Sequence, residues 1–362
     1  MGENCETHDE ERGLAEGLPR SIDFYGKAVV RLLRNWYAES ARTYPWRSPN
    51  VRHPNPWAVF VSETMLQQTQ TTRVAELLPQ FLRQFPTPGD CAAASHGAIL
   101  RAWQGLGYNS RAIRLHEASR LMVSQHAGNV PRGRENLLAL PGVGAYCANA
   151  VRCFAFGVDV ALVEVNVVRV LSRIFFPCIS IETTVATLLV RRIATAILDR
   201  EVAETEAGYW NQALMDLGAG PCAMPVPHCR SCPLSHACDA REAGNQDAIP
   251  AAKPKVPPVK GSWSLLVARG PGGLLLAPPR SPPRLGPDPE HRIRDGYASL
   301  YAGYRSLPFS AWTPTAPGDP EAWRSWWTAR GGTWRVDPRL VGSFRHSVTR
   351  YRLRADVVVG EI

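Results

Sequence analysis

Between Cys222 and Cys238 four of the chain's nine cysteines fall within 17 residues, "CAMPVPHCRSCPLSHAC", at the spacing C-x6-C-x2-C-x5-C. Four thiols this close can converge on one metal centre, and the convergence then fixes the path of the whole loop. Structural zinc usually takes two separated C-x2-C knuckles. Here one knuckle is flanked by wider gaps, so the spacing leaves zinc and an iron–sulfur cluster both open. The other five cysteines, Cys5, Cys91, Cys147, Cys153 and Cys178, are scattered, mostly through apolar segments. An odd, scattered set does not resemble a secreted disulfide framework, and a reducing compartment follows. The N-terminal stretch "MGENCETHDEER" is acidic and polar with no apolar h-region, so a cytoplasmic location is expected, nucleoid-associated in a bacterium. No segment approaches a membrane span.

Upstream of the cysteine loop, from about Ser21 to Asp239, the chain reads as consecutive amphipathic helices, among them "AVVRLLRNWYAES", "TRVAELLPQFLRQF" and "EVNVVRVLSRIFF". No long alternating run interrupts them, which predicts an all-α domain over residues 22–243 after a polar tail over 1–21. The stretch "IPAAKPKVPPVKG", Ile249 to Gly261, holds four prolines and three lysines, the composition of an extended linker, placed at 244–262. Beyond it "SWSLLVARG", "GLLLAPP", "GTWRVDP" and "YRLRADVVVG" are short, β-rich and turn-bounded, predicting a small α+β domain over 263–362. The net charge of +9 and pI of about 9.3 favour a polyanionic partner, although a merely basic protein would carry the same charge.

Three stretches carry chemistry. In "FVSETMLQQTQ" Glu63 falls at helical period on the face of Val59, Phe60 and Leu66, the face expected to be buried. A lone buried carboxylate must be paired or protonated. In "LPGVGAYCANAVRCFAFG" the turn Pro141-Gly142-Val143-Gly144 runs straight into a helix. Its glycines free backbone N–H groups and a helix N-terminus for a phosphate, although an ordinary helix–turn–helix joint would read alike. In "VEVNVVRVLSR" Glu164 and Asn166 are the polar pair of an apolar run; the plain reading of Glu164 is a helix cap, a task Asp serves better.

With "YPWR", "SETMLQQTQ", "GLGYNSRA", "LPGVGAY", "NVVRVLSR", "WNQALMDLGA" and the cysteine loop in this order, the chain resembles the helix–hairpin–helix DNA glycosylases of the endonuclease III superfamily. Within that superfamily it is most similar to the adenine-removing, MutY-type members. The resemblance is strong over about 22–243 and weak over 263–362. It implies a monomer acting on double-stranded DNA with a mispaired adenine, opposite 8-oxoguanine or guanine. It selects a [4Fe–4S] cluster on Cys222, Cys229, Cys232 and Cys238, shaping a DNA-binding loop with His228, Arg230 and His236.

The resemblance also assigns roles. Glu63 matches the acid that protonates the departing adenine, which requires a raised pKa. Glu164 stands where the family carries an aspartate beneath C1′, with Asn166 orienting it. Gln68 matches the wedge in the opposite strand and Tyr108 the intercalating residue, with Thr69 and Leu106 beside them. Trp46, Arg47 and Gln212 match the lining of the adenine pocket. Tyr146 occupies the slot where bifunctional relatives carry a lysine; a phenol forms no imine, so base removal without strand cleavage is expected. In a Nudix-like C-terminal domain Phe344 and His346 match a lesion-reading Phe-Ser-His loop, with Arg345 in the serine's place, still able to donate to a guanine edge. The competing readings are a thymine or uracil mismatch glycosylase, a catalytically weak lesion-binding protein, and a zinc-bearing nucleic-acid adaptor.

Overall fold

The computed structural model describes residues 20–47, 54–175, 184–249, 259–271, 273–274, 320–329, 331–348 and 351–362. Its contacts divide the chain into two compact units, Met1–Lys253 and Pro254–Ile362.

The described part of the first unit is helical. Its elements are α1 (Arg20–Ser40), α2 (Pro56–Leu66), α3 (Thr71–Gln84), α4 (Pro88–Ala93), α5 (His96–Ala102), α6 (Ser110–Gln125), α7 (Arg134–Leu138), α8 (Ala145–Phe156), α9 (Val165–Phe175), α10 (Thr184–Glu201), α11 (Ala207–Ala219) and α12 (Asp239–Glu242). They build two apolar cores. One gathers Val29 and Leu33 of α1 with Val170 and Ile174 of α9, Ile193 of α10, and Trp210 and Leu214 of α11. The other gathers α2 to α8 around Phe60, Phe81, Trp103, Leu115 and Met122. Phe154 of α8 packs against both cores, so α8 spans the seam between them.

Helix α2 begins where the sequence says a helix should. The Asn55 side chain accepts from Trp57 N at 2.8 Å and Ala58 N at 3.4 Å, and Pro56 takes the first helical position, where its missing N–H costs nothing. The expected single buried face is not what forms. Every residue from Val59 to Met65 is buried, because α2 is enclosed by its neighbours α3, α6 and α8. The hairpin joins α7 to α8: Val143 N donates to Leu140 O at 3.2 Å, and Gly142 takes φ +81°, a conformation that favours glycine.

In the second unit a four-stranded sheet runs in the order β2 (Gly273–Leu274), β1 (Val259–Gly270), β4 (Tyr351–Glu361), β3 (Val336–Val348). Strands β1 and β4 are parallel from Val259↔Tyr351 to Arg269↔Glu361, whereas β3 and β4 are antiparallel. Helix α13 (Pro320–Thr328) sets Trp323 against Leu266, Ala268 and Val358, and Trp334 lies over Gly360, where a Cβ would come within 2.5 Å of its ring.

Three expectations change. The segment read as linker is shorter than 244–262. Ile249 is buried and its carbonyl accepts from Arg173 Nε at 2.7 Å, while residues 259–262 are already strand β1. Proline and lysine content hid both ends. Phe344, Arg345 and His346 lie within strand β3, paired with Ala355, Arg354 and Leu353. Backbone pairing with β4, and not the side-chain pattern, makes this stretch a strand. The tail expected over 1–21 is also shorter, since Arg20 and Ser21 already belong to α1; residues 1–19, Cys178 and most of "GLLLAPP" lie outside the described residues.

Candidate active site

A cavity of about 610 Å³ opens at the seam of the helical unit. Its walls come from the 42–47 segment, α2 and the turn that follows it, the hairpin, α8, the start of α9 and α11. Among the residues singled out from sequence, it brings together Trp46, Arg47, Glu63, Thr69, Gly142, Gly144, Tyr146, Glu164, Asn166 and Gln212.

Glu63 is 8% exposed, and that exposure faces the cavity. No hydrogen bond or ion pair to its carboxyl is found among the described residues. Burial pushes its pKa from an ordinary 4.5 to about 7, against a smaller opposing pull from the Arg47 guanidinium. The group therefore holds its proton near neutrality while in contact with the cavity.

Why Arg47 does not ionise Glu63 is visible in its partner. Arg47 Nη1 donates to both oxygens of Asp216, at 2.8 and 3.0 Å. The Asp216 carboxylate, almost fully buried, also takes Arg42 through Nη2 at 2.6 Å, Nε at 3.0 Å and its backbone N at 3.1 Å. Both guanidiniums lie over the Tyr44 ring, at 5.6 and 5.3 Å, and Tyr44 stacks on Trp46 at 4.7 Å with the planes 2° apart. Together these residues form a flat, cationic wall beside the acid. One turn before Asp216 on α11, Gln212 Oε1 accepts from the Tyr37 hydroxyl at 2.9 Å, leaving its amide N–H groups free of that bond.

Glu164 is tied to the start of its own helix. One oxygen accepts from Asn166 N at 2.9 Å and Val167 N at 3.1 Å, and the other from Asn166 Nδ2 at 3.1 Å. The capping role and the expected orientation by Asn166 are thus both present. Asn166 Oδ1 in turn accepts from Arg169 Nη2 at 2.6 Å, and Arg169 also donates to the carbonyls of Gly218 and Cys222. The close approach needs Gly218, whose Cβ would meet that of Asn166 at 2.6 Å.

Tyr146 exposes 38% of its surface at the cavity wall. Burial of its hydroxyl, followed by the charges of Glu63 and Glu164, pushes its pKa well above the usual phenol value, so it stays protonated. Cys147, raised to about 12 by burial and by Glu63, is an inert thiol.

Other candidates lie away from the cavity lining. Gln68 and Tyr108 are exposed and take left-handed backbone, φ 60° and 47°, which non-glycine residues rarely adopt. Leu106 is buried, and Pro141 and Val143 of the hairpin are half-buried. His228, Arg230 and His236 are exposed on the cysteine loop. In the second unit Arg345 is exposed; the side chains of Phe344 and His346 lie outside the described residues.

The four cysteines of the loop are free and half-buried. Burial, then mutual repulsion, raises Cys232 to about 12 and Cys238 to about 11, so the thiolates need a cationic centre to form. Arg173 Nη1 donates to Cys222 Sγ at 3.2 Å, a contact suited to a ligating sulfur. Among the described residues no group of three or more His, Cys, Asp or Glu could hold a single metal ion. A cubane asks for a different arrangement, each thiolate meeting its own iron, and four half-buried cysteines with a donor to sulfur fit that demand.

An all-helical unit with a glycine hairpin and a proton-holding glutamate in its seam is the architecture of base-excision glycosylases. The family model described as "HhH-GPD superfamily base excision DNA repair protein" matches residues 61–186. The adenine DNA glycosylase of Mycolicibacterium smegmatis is 41% identical over 212 residues, 59% of this chain and 69% of that protein. The human adenine DNA glycosylase is 36% identical over 222 residues, 60% of this chain and 40% of the human protein. The chain belongs to the adenine DNA glycosylase family of base-excision repair enzymes. Among solved structures, a thermostable thymine-DNA glycosylase superposes with a TM-score of 0.55 at 28% identity, covering 62% of this chain and 99% of that one. Endonuclease III trapped on DNA shares the fold, with a TM-score of 0.50 at 24% identity, covering 60% of this chain and 98% of that one. No described helix is long and apolar enough to cross a membrane.

Sequence reasoning missed Asp216, Arg42, Arg111 and Arg169. Asp216 carried the signal that exposed Glu63, a carboxylate inside an apolar helix, in "ALMDLG".

Proposed function

We propose that this chain removes adenine mispaired with 8-oxoguanine or guanine, leaving an abasic site and an uncut strand. The observation that carries the reading is the Glu63 carboxyl: buried, without a hydrogen-bond partner among the described residues and in contact with the cavity. An extruded adenine entering the cavity would meet a carboxyl that still holds its proton in a large fraction of molecules near neutral pH. Glu63 gives that proton to N7, the C1′–N9 bond breaks with its electron pair leaving on adenine, and water adds to C1′, giving up a proton that restores the Glu63 acid. Positive charge developing on the sugar is met by Glu164, a carboxylate fixed at a helix N-terminus and sharing the cavity. The Tyr44–Trp46 stack and Arg47 wall the base in. With Tyr146 in place of an amine, no imine forms and the backbone stays intact.

Around this site the remaining residues serve DNA handling. Gln68 and Tyr108 probe the helix on either side of the target, and the Pro141–Gly144 turn presents N–H groups to a phosphate. Cys222, Cys229, Cys232 and Cys238 hold a [4Fe–4S] cluster that stiffens the loop bearing His228, Arg230 and His236. The C-terminal unit, a Nudix-like domain, reads the opposite base through the Phe344–His346 strand. The protein acts as a monomer in the compartment that holds the DNA.

The test is single-turnover excision on duplexes with A opposite 8-oxoguanine, A opposite G, T opposite G and U opposite G, followed by alkali. Cleavage at adenine, favoured opposite 8-oxoguanine, is expected. Excision of thymine or uracil in its place would refute the reading. Arg345→Ala should reduce the preference for 8-oxoguanine over guanine; an unchanged preference would remove that residue from lesion reading.

A further inference from the structure

The guanidinium of Arg111 lies 6% exposed on α6 with no carboxylate among its hydrogen-bond partners, yet six oxygens surround it. Nη1 donates to the carbonyls of Thr64 at 3.1 Å, Met65 at 2.7 Å and Gln67. Nη2 donates to Thr69 Oγ1 at 2.9 Å, Leu106 O at 3.0 Å and Gly107 O at 3.2 Å. The first three are orphan carbonyls at the C-terminal end of the helix that carries Glu63. Thr69 follows Gln68, and Leu106 and Gly107 precede Tyr108. The Thr69 hydroxyl closes the ring by donating to Leu106 O at 3.2 Å. Above and below, the cation faces the Trp103 ring at 5.5 Å and the Tyr108 ring at 5.6 Å.

We infer that Arg111 is a positioning residue that sets the separation between the Gln68 and Tyr108 probes and locks both to the helix of the acid. Left-handed backbone at a non-glycine residue is strained and persists only where the surroundings enforce it. Here two such residues flank one fork of donors, and nothing else described joins the two loops so completely. The fork is specific to arginine. Lysine would bring the charge without two parallel rows of N–H groups, and could serve one loop or the other. The consequence lies in base extrusion. With the fork intact, both probes enter the duplex at a fixed spacing and the displaced base arrives at Glu63 in register. Without it the loops relax separately, and a misplacement of about 1 Å costs on the order of 10²-fold.

The inference rests on the function proposed above, so its test must separate the two. Full-length wild type, Arg111→Met and Arg111→Lys are compared on adenine paired opposite 8-oxoguanine and on adenine inside an unpaired bubble, which needs little extrusion. Single-turnover rates are read alongside the fluorescence of 2-aminopurine placed at the target. The expected result is a paired-to-bubble rate ratio lowered by on the order of 10²-fold in Arg111→Met. Lysine should rescue it only in part, and the fluorescence rise should be lost on the paired duplex. Equal losses on both substrates would mean a fold defect and overturn the inference, as would an unchanged ratio. If Arg111→Met proves unfolded by circular dichroism, Arg111→Lys decides by the same ratio. Wild type inactive on both substrates would instead refute the adenine reading.

Discussion

Replacing Glu63 by glutamine separates what the carboxyl does for chemistry from what it costs the fold. Glutamine keeps the shape and removes the titratable proton. Excision should be lost, while duplex binding, which rests on other surfaces, should persist. The thermodynamic consequence follows from the raised pKa. A carboxyl at about 7 in the folded chain and 4.5 otherwise binds a proton that the unfolded chain releases between those values. Folded protein therefore holds more protons in that window, and its stability falls as pH rises through it. The penalty is about 1 kcal/mol at pH 5 and about 3 kcal/mol at pH 8, from 1.36 kcal/mol per pKa unit of differential proton binding. Glutamine escapes it.

The stability difference between Glu63→Gln and wild type should thus grow by about 2–3 kcal/mol from pH 5 to pH 8. For a unit of this size that is a melting difference of roughly 5–10 °C, in favour of the variant at the higher pH. Thermal melts of both proteins across that range, followed by far-UV circular dichroism, give the answer. A melting difference independent of pH would show that Glu63 is not held protonated by burial, and the acid role would fall with it.

Removing the Asp216 carboxylate as Asp216→Asn should free the Arg47 charge, lower the pKa of Glu63 and move the alkaline limb of the pH–rate profile to lower pH. On that limb the rate falls about tenfold per unit of displacement, and an unmoved limb would contradict the clamp. Glu164→Gln should slow excision by on the order of 10²-fold, while Glu164→Asp should be no faster than wild type if the backbone is set for the longer side chain. A Gln variant as fast as wild type would leave Glu164 a helix cap only. Borohydride added during turnover should trap no protein–DNA adduct, because Tyr146 supplies no amine; lyase-like trapping would refute this. Anaerobically purified protein should be brown, absorb near 400 nm and carry about four irons with sulfide. One zinc without iron would overturn the cluster.

The helices were legible because their apolar residues recur at helical period, and Glu63 because it breaks such a run. The same rule went unused elsewhere. Asp216 interrupts "ALMDLG" as plainly as Glu63 interrupts α2, and Arg111, Arg169 and Arg173 sit at apolar periods in theirs. Arginines in helices read as surface charge, whereas these three are buried donors to carbonyls, a role that depends on loops distant in sequence. No local pattern encodes those partners. Burial of α2 on all sides was illegible for a similar reason, since enclosure is decided by neighbouring helices. The strand at Phe344–His346 was not legible, because its apolar residues do not alternate and its pairing partner β4 fixes it.

The arrangement of charge explains how one cavity can keep two glutamates for opposite tasks. Glu63 lies in an apolar helix with no donor to its oxygens among the described residues, an environment that favours the neutral acid. Glu164 takes three N–H donors at a helix N-terminus, an environment that suits negative charge. Arg47 could undo the difference by pairing with the first, but its guanidinium is consumed by Asp216, a third carboxylate buried behind it. The clamp thus leaves a cation close enough to line the base pocket and too well neutralised to take the proton from Glu63. A carboxyl that keeps its proton through burial and a second one held by N–H donors, both lining one cavity, are the pair that the proposed glycosidic cleavage calls for.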